Sequence, residues 1–398
     1  MKINVLFISD SSLANPVVYS QGLPLLKFLT SNNYNCFMIH FESVNSEESN
    51  EEKLNDVKKL YKDFINFQRI IIKKYPFLPV SLVTVVRTVK FIVSLSVKYK
   101  FIVFHARSFY PALICLVIKY ILPKTKFIYD NRGLFIEEGI FNGRWKEGGL
   151  LVKFLIKVEC LIVKKADHIV VVSKAFKKYM LKNFIAGGTQ LDKKITVIDN
   201  KTIIYPEISS ETINKRKKNK DIVAVFAGSA AGWQNVFEIK SFAKVCSQYI
   251  PNFKLKIVSY QLNDFIKEIK NDSSLYNITD FIQVKSSEVF KYLLNANFGI
   301  LLRDNILINN VASPLKFAEY LSAGLPVMLR EGIGDTEQII KKYNVGVIIK
   351  ENDYESAISE LQELLNDKDV YRRCLKIADK EFNINISFKQ YQEIYDKL

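Results

Sequence analysis

The hydrophobic positions of this chain form short apolar runs that alternate with longer stretches in which apolar residues recur every three or four positions. The short runs, at 3–8, 35–41, 101–105, 126–130, 168–172 and 195–198, read as strands covered on both faces. The longer stretches, at 20–31, 51–63, 80–99, 109–121, 149–165 and 174–183, read as amphipathic helices. A polar segment, 201–220, ends in Asn-Lys-Arg-Lys-Lys-Asn-Lys without apolar period and reads as a linker or exposed loop. The alternation then restarts. Strands are predicted at 222–227, 254–259, 280–284, 298–302, 326–329 and 346–348. Helices are predicted between and after them at 234–249, 261–270, 286–294, 314–323, 335–342 and 353–365. Such alternation predicts parallel, doubly wound sheets. The fold class is α/β, with Rossmann-like domains at 1–200 and 221–381 facing a cleft, and ligands expected at the carboxyl ends of the strands. The last segment, 382–398, places Phe388, Tyr391, Ile394 and Tyr395 at helical spacing.

Composition narrows the class. At 398 residues the chain exceeds one ordinary core, and 48% hydrophobic with 25% charged residues is a globular balance that excludes extensive disorder. Cys36, Cys115, Cys160, Cys246 and Cys374 show no metal-ligand spacing and read as reduced residues of a cytosolic protein. The apolar run at the N-terminus is too short for a signal peptide and reads as a first strand. Charge is uneven: residues 1–200 hold 30 Lys and Arg against 16 Asp and Glu, whereas 201–398 hold 27 against 25. That asymmetry favours an anionic membrane surface over a uniformly basic composition, with nucleic acid set aside.

The segment from Val311 to Val327 carries the most chemistry. Ser313 as N-cap and Pro314 at the first helical position open a helix that Gly324 and Pro326 close. A helix entry of this kind holds anions, and Lys316 adds a cation while Glu319 lies in a following turn. Gly228-Ser229-Ala230-Ala231-Gly232 follows a buried strand and permits backbone approach to a diphosphate. Arg303, at a strand end, either offsets charge on a leaving diphosphate or pairs with Asp304. In the first half, His105 and Arg107 stand at a strand's carboxyl end, and Asp130, Arg132 and Glu138 form a charged group around Gly133. Gln21 and Gly22 lie in the turn after the first strand.

Several separated motifs together resemble a GT-B glycosyltransferase of the large retaining family 4, in particular its bacterial surface-polysaccharide branch. They are Ser20-Gln21-Gly22-Leu23-Pro24, His105-Ala106-Arg107-Ser108, Tyr129-Asp130-Asn131-Arg132-Gly133, and Glu159 ahead of Ala166–Ser173. The second half adds Ala227-Gly228-Ser229 with Trp233, Leu302-Arg303-Asp304, and the Ser313–Val327 block. The resemblance implies a hexosyl transfer from a nucleotide diphosphate sugar to a saccharide, lipid-linked in polysaccharide biosynthesis, with retention and no metal or other cofactor. It implies donor contacts from Gly228, Ser229, Arg303, Ser313, Pro314, Leu315, Lys316 and Glu319, the last to the ribose hydroxyls. It implies catalytic places for His105, Arg107, Arg132 and Arg303, and acceptor contacts from Gln21, Gly22, Asp130, Arg132 and Glu138. It also implies a C-terminal helix crossing back to the first domain.

Two departures stand out. The family's earlier glutamate of a spaced pair falls at Val311, and its Arg and Lys after the first strand of the second domain are missing from Gly228–Asn235. Asp304, Asn305, Asn309 and Asn310 are candidate substitutes at the sugar, and Arg132 at the phosphates.

Membrane contact has its own candidates: the helix from Val80 to Lys98, Lys73, Lys74 and Tyr75–Leu78, and Lys153, Lys157, Lys164 and Lys165. Arg87 and Lys90 interrupt the first of these and argue against a spanning helix, so the expectation is a cytosolic protein peripheral on the inner face of the membrane. A nucleotide-sugar epimerase of the same architecture and a non-catalytic glycan- or partner-binding domain are the rival readings. A dehydrogenase is disfavoured because no Gly-x-Gly-x-x-Gly follows the first strand.

Overall fold

The computed structural model describes residues 2–43, 51–72, 80–184, 188–204, 208, 210–230, 234–285 and 288–398. Trp233, Ala231, Gly232 and the 73–78 cluster lie outside them. The chain divides into two compact units, Met1–Asp199 with Ser387–Leu398, and Asn200–Ile386.

The first unit begins with β1 (Ile3–Ser9), a π-helical turn Val18–Gly22, α1 (Leu23–Ser31), β2 (Tyr34–Ser43), α2 (Glu51–Tyr61) and β3 (Ile65–Ile72). It continues with α3 (Leu82–Tyr99), β4 (Val103–Arg107), α4 (Phe109–Ile121), β5 (Lys126–Asn131), α5 (Phe135–Phe141) and α6 (Leu150–Lys165). Then come β6 (His168–Val171), α7 (Lys174–Asn183), α8 (Gly188–Lys194) and β7 (Ile195–Val197). Its sheet has seven parallel strands in the order β3-β2-β1-β4-β5-β6-β7. The run from Val5 to Ser9 is wholly buried because helices cover both faces of the sheet. Strand β3 has no counterpart in the sequence reading. It is an edge strand in which Asn66 is exposed and Phe67 to Ile70 are only half-buried, and Arg69 interrupts its apolar character.

The second unit opens with α9 (Ser210–Lys218), β8 (Ile222–Ala227), α10 (Val236–Tyr249), β9 (Phe253–Ser259), α11 (Asn263–Ile269) and α12 (Ser273–Asn277). After these run β10 (Thr279–Gln283), α13 (Val289–Leu293), β11 (Phe298–Leu301), α14 (Leu307–Asn310), α15 (Leu315–Ser322) and β12 (Val327–Arg330). The remainder is α16 (Thr336–Tyr343), β13 (Gly346–Ile349), α17 (Tyr354–Asn366), α18 (Val370–Phe382) and α19 (Ile384–Lys397). The six strands are parallel in the order β10-β9-β8-β11-β12-β13. In each sheet the strand order reverses beside the first strand, between β1 and β4 and between β8 and β11. Crevices at such reversals are where open α/β sheets hold ligands.

The segment 201–220 is not simply a linker, since α9 occupies 210–218. One turn apart, Ile213 and Arg216 are both 5% exposed. Arg216 donates from Nε to the Leu294 carbonyl at 2.7 Å and from NH2 to that of Ala323 at 2.8 Å, and its guanidinium lies over the Tyr371 ring. A guanidinium feeding carbonyls does the work of an apolar residue here, so the helix has no hydrophobic period to read. Helix α19 crosses the unit boundary: from Ser387 onward it belongs to the first unit.

Candidate functional site

In the second unit the site grows from the carboxyl end of β8. Gly228 has φ +147°, and a Cβ there would lie 2.2 Å from the Lys316 ammonium. Only glycine leaves that space. Lys316, one residue into α15, reaches under the loop, sits 4.1 Å from the centroid of the Phe226 ring, and donates to Oε1 of Gln234 at 3.0 Å. Burial, followed by the repulsion of Arg303, pushes the Lys316 ammonium well below the ordinary lysine range, although Glu319 opposes the shift. Arg303 follows β11, is 9% exposed, and is pushed down to about 10 by its burial. Its Nε is buried without a hydrogen-bond partner. Among the described residues neither cation takes part in an ion pair. Burial raises the Glu319 carboxyl above the usual carboxylate range, against the pull of Lys316. Desolvated cations without an ion-pair partner are costly.

Helix α15 holds these groups through Tyr320. Its hydroxyl accepts from the Ala227 N–H at 3.0 Å and donates to the Ile300 carbonyl at 3.2 Å, pinning the ends of β8 and β11 together. The ring fits because Gly299 has no side chain, since a Cβ there would lie 2.4 Å from it. The helix starts one position later than its sequence suggests: Pro314 (φ −71°, ψ 116°) is the flanking residue and Leu315 the first helical one. Ser313 therefore does not cap α15. Its Oγ accepts from the Asn200 N–H at 2.9 Å and its carbonyl from Asn200 Nδ2 at 2.6 Å. The opening N–H groups of α15 still have no intrahelical acceptor. Val311 is 3% exposed and packs inward, which accounts for the absence of a carboxylate. Of the expected substitutes, Asn309 Nδ2 bonds the Asp304 carbonyl, Asn310 Nδ2 bonds Asn305 and the Gly332 carbonyl, and Asp304 accepts from Asn235. They brace the loop between β11 and α15.

In the first unit the chemistry gathers on Asp130, which is 0% exposed. Parallel register sets it beside Arg107. Its Oδ2 accepts from Arg107 NH1 at 3.1 Å and lies 3.3 Å from His105 Nε2, and its Oδ1 accepts from Arg132 NH1 at 3.3 Å. Burial works against the ionised form, but Arg132, the His105 hydrogen bond and Arg107 outweigh it and hold the carboxyl below the ordinary range. His105 Nδ1 meets the Tyr395 hydroxyl at 2.6 Å, and Arg132 NH1 donates to the Tyr391 hydroxyl at 3.2 Å and the Ile198 carbonyl at 3.2 Å. Burial pushes His105 below its usual value. The residues expected in catalysis (His105) and acceptor binding (Asp130) both have interior side chains, and both imidazole nitrogens are engaged. Their strand positions end in a buried ion cluster that fastens the last helix, because α19 supplies the two phenols.

Gln21 and Gly22 end the π-helical turn before α1, where Gln21 is 8% exposed and Gly22 faces the Phe7 ring. Glu138, on α5, packs its Oε1 2.6 Å from where a Gly133 Cβ would stand. Burial and then Glu137 push its carboxyl up to about 7. Glu159 on α6, 3.3 Å from the Tyr129 hydroxyl, is also pushed up to about 7, by burial and then by Glu137. A carboxyl whose folded value is raised contributes stability below its unfolded value, and that contribution is lost as pH rises through about 7. Replacing Glu159 by Gln should therefore stabilise the protein more near pH 8 than near pH 5, by roughly 2 kcal/mol. Urea unfolding at both pH values measures this, and an equal effect at both would reject a proton on Glu159.

Sequence reasoning missed Gln234, Phe226 and Tyr320 around Lys316, and the roles of Tyr391 and Tyr395. The two phenols were legible as an i, i+4 pair but read as packing alone.

These features define an α/β protein of two Rossmann-like units, with two cations gathered at the strand reversal of the second. Residues 208–381, within the second unit, match the family model described as glycosyl transferases group 1. An uncharacterized glycosyltransferase of Methanocaldococcus jannaschii is 27% identical over 259 residues, 60% of this chain and 60% of that relative. Among solved structures, the sucrose-phosphate synthase of Thermosynechococcus elongatus superposes with a TM-score of 0.71 at 13% identity, covering 100% of this chain and 99% of that one. HepE of Anabaena, solved with UDP and glucose, superposes with a TM-score of 0.68 at 14% identity, covering 100% of both chains. The likeness establishes the GT-B fold.

Proposed function

We propose that the protein is a retaining glycosyltransferase that moves a hexosyl group from a nucleotide diphosphate sugar to a saccharide, lipid-linked in polysaccharide biosynthesis. The observation that carries the reading is a pair of cations that make no ion pair among the described residues, half-buried Lys316 beside Gly228 and buried Arg303 after β11. A diphosphate bridging the loop, the first N–H groups of α15 and these cations would supply the missing negative charge. Glu319, whose carboxyl burial raises above the usual range against the pull of Lys316, offers its oxygens to ribose hydroxyls. UDP is the first nucleotide to test, since HepE was solved with it.

In the transfer, the bond between the anomeric carbon and the leaving diphosphate breaks as the acceptor oxygen bonds to the same face. The acceptor's proton passes to the leaving phosphate oxygen. The protein then supplies position and positive charge, which stabilise charge developing on the leaving group. Arg132, Arg107 and His105 act on the fold, holding α19 through Asp130 and the two phenols. Retention and the acceptor class rest on the family resemblance of the motifs.

Calorimetric titration tests the donor site. UDP should bind, and Glu319→Ala should weaken it by about 1–3 kcal/mol. No heat from any nucleoside diphosphate, together with no transfer product, would favour a non-catalytic binding domain.

A further inference from the structure

The outward faces of α3 and α6 have an unusual composition. The exposed residues of α6 are Leu150, Phe154, Ile156 and Leu161 with Lys153, Lys157, Lys164 and Lys165, broken only by Cys160. Leu150 is 87% and Phe154 61% exposed, so these are not edges of the core. On α3 the same pattern appears in Leu82, Val83, Val86, Arg87, Lys90 and Val97. Helix α4 packs against both and is apolar throughout apart from Lys119 and its tyrosines, with Tyr120 and Ile121 exposed beneath Lys165. No Asp or Glu occurs on α3 or α4, and the one on α6, Glu159, is buried. A cavity of about 390 Å³ with a largely apolar lining opens where α3 and α4 end, between Val93, Val97, Ile121 and Leu122, with Lys124 beside it.

A helix facing water carries polar residues of both signs. A protein partner would meet an interface core depleted in lysine. Exposed large aliphatics interleaved with lysine, without acids, suit neither. They suit the boundary of an anionic bilayer, where side chains enter the acyl region and ammonium groups stay among phosphates. We infer that the layer α3–α4–α6 is a docking face for an anionic lipid bilayer, with the cavity at its end taking a stretch of hydrocarbon chain. No helix among the described residues is long and apolar enough to cross a membrane, so the contact is peripheral. The inference stands apart from the transfer reaction, since it needs neither donor nor acceptor.

The test is sedimentation of the full chain with vesicles of phosphatidylcholine alone or mixed with phosphatidylglycerol, at low and high salt. Binding should require phosphatidylglycerol and decline as salt rises. The Lys153→Ala, Lys157→Ala double variant should partition about 25-fold less well, from about five-fold per basic residue. Phe154→Ser should also bind more weakly, whereas Lys218→Ala with Lys220→Ala in the second unit should match the parent. All these residues are exposed, and unchanged melting temperatures would show the fold intact. Absence of binding, equal binding to neutral vesicles, or indifference to the α6 substitutions would overturn the inference. So would a dimer that covers α6, seen in sedimentation velocity.

Discussion

Lys316→Met should lower the rate of sugar transfer by about 10²–10³-fold while leaving the fold as stable as the parent, or more stable. The two halves of this expectation come from one fact. The ammonium is desolvated, repelled by Arg303, and compensated by a neutral amide, an aromatic face and the Glu319 carboxyl, which burial also disfavours in its charged form. Folding gains little from such a charge. A methionine of similar length fills the space over Phe226 without the desolvation cost. On the proposed function, transfer would lose the group placed to meet charge developing on the leaving diphosphate. A purely structural lysine would behave in the opposite way, costing stability and sparing the turnover of whatever remained folded. Measuring kcat with a saturating donor, alongside urea unfolding, separates the cases. A variant that is less stable yet fully active would reject the role given to Lys316.

The same residue shows what the sequence could and could not convey. The Ser313–Val327 block was readable as a helix entry because Pro314, Gly324 and Pro326 punctuate it, and Gly324 indeed adopts φ +73°. The loop at Gly228 was readable as a close approach, but not what approaches it. That depends on Lys316 meeting a residue 88 positions earlier, a pairing no local spacing encodes. Tyr320 likewise looked like one more apolar position of α15, although its hydroxyl joins two strands that only the sheet order brings together. In the first unit, charged residues at strand ends suggested an exposed site. Strand ends face outward only where no element covers them, and α19, the last helix of the chain, covers His105 and Arg132 with its phenols. Periodicity placed that helix but assigned it an apolar contact. Strand β3 and helix α9 escaped notice for a related reason: charged side chains occupy positions where a pattern search looks for aliphatics.

Asp130→Ala should destabilise the protein by about 3–5 kcal/mol, the largest single loss expected from any residue named here. The carboxylate is fully buried and takes hydrogen bonds from two arginines and contact from a histidine. Removing it leaves Arg107, 5% exposed and already carrying one unpartnered nitrogen, as an uncompensated interior charge beside Arg132. Asp130→Asn keeps the shape and should cost less. Its value is the pH dependence. A carboxyl held below its ordinary value contributes stability that is present above the unfolded value, near pH 3.9, and is lost as pH falls through the folded one. The parent should therefore lose stability steeply in acid, and the Asn variant should lack that part of the slope. His105 adds a separate, earlier loss: its value is lowered in the folded protein, so the unfolded chain takes up the proton first as pH falls below about 6.5. Because Tyr391 and Tyr395 engage this cluster, the Ala variant should also lose amide protection over 387–397 before the sheet does, measurable by hydrogen exchange. If the Ala variant unfolded within about 1 kcal/mol of the parent, with α19 still protected, the cluster would not be what fastens the helix.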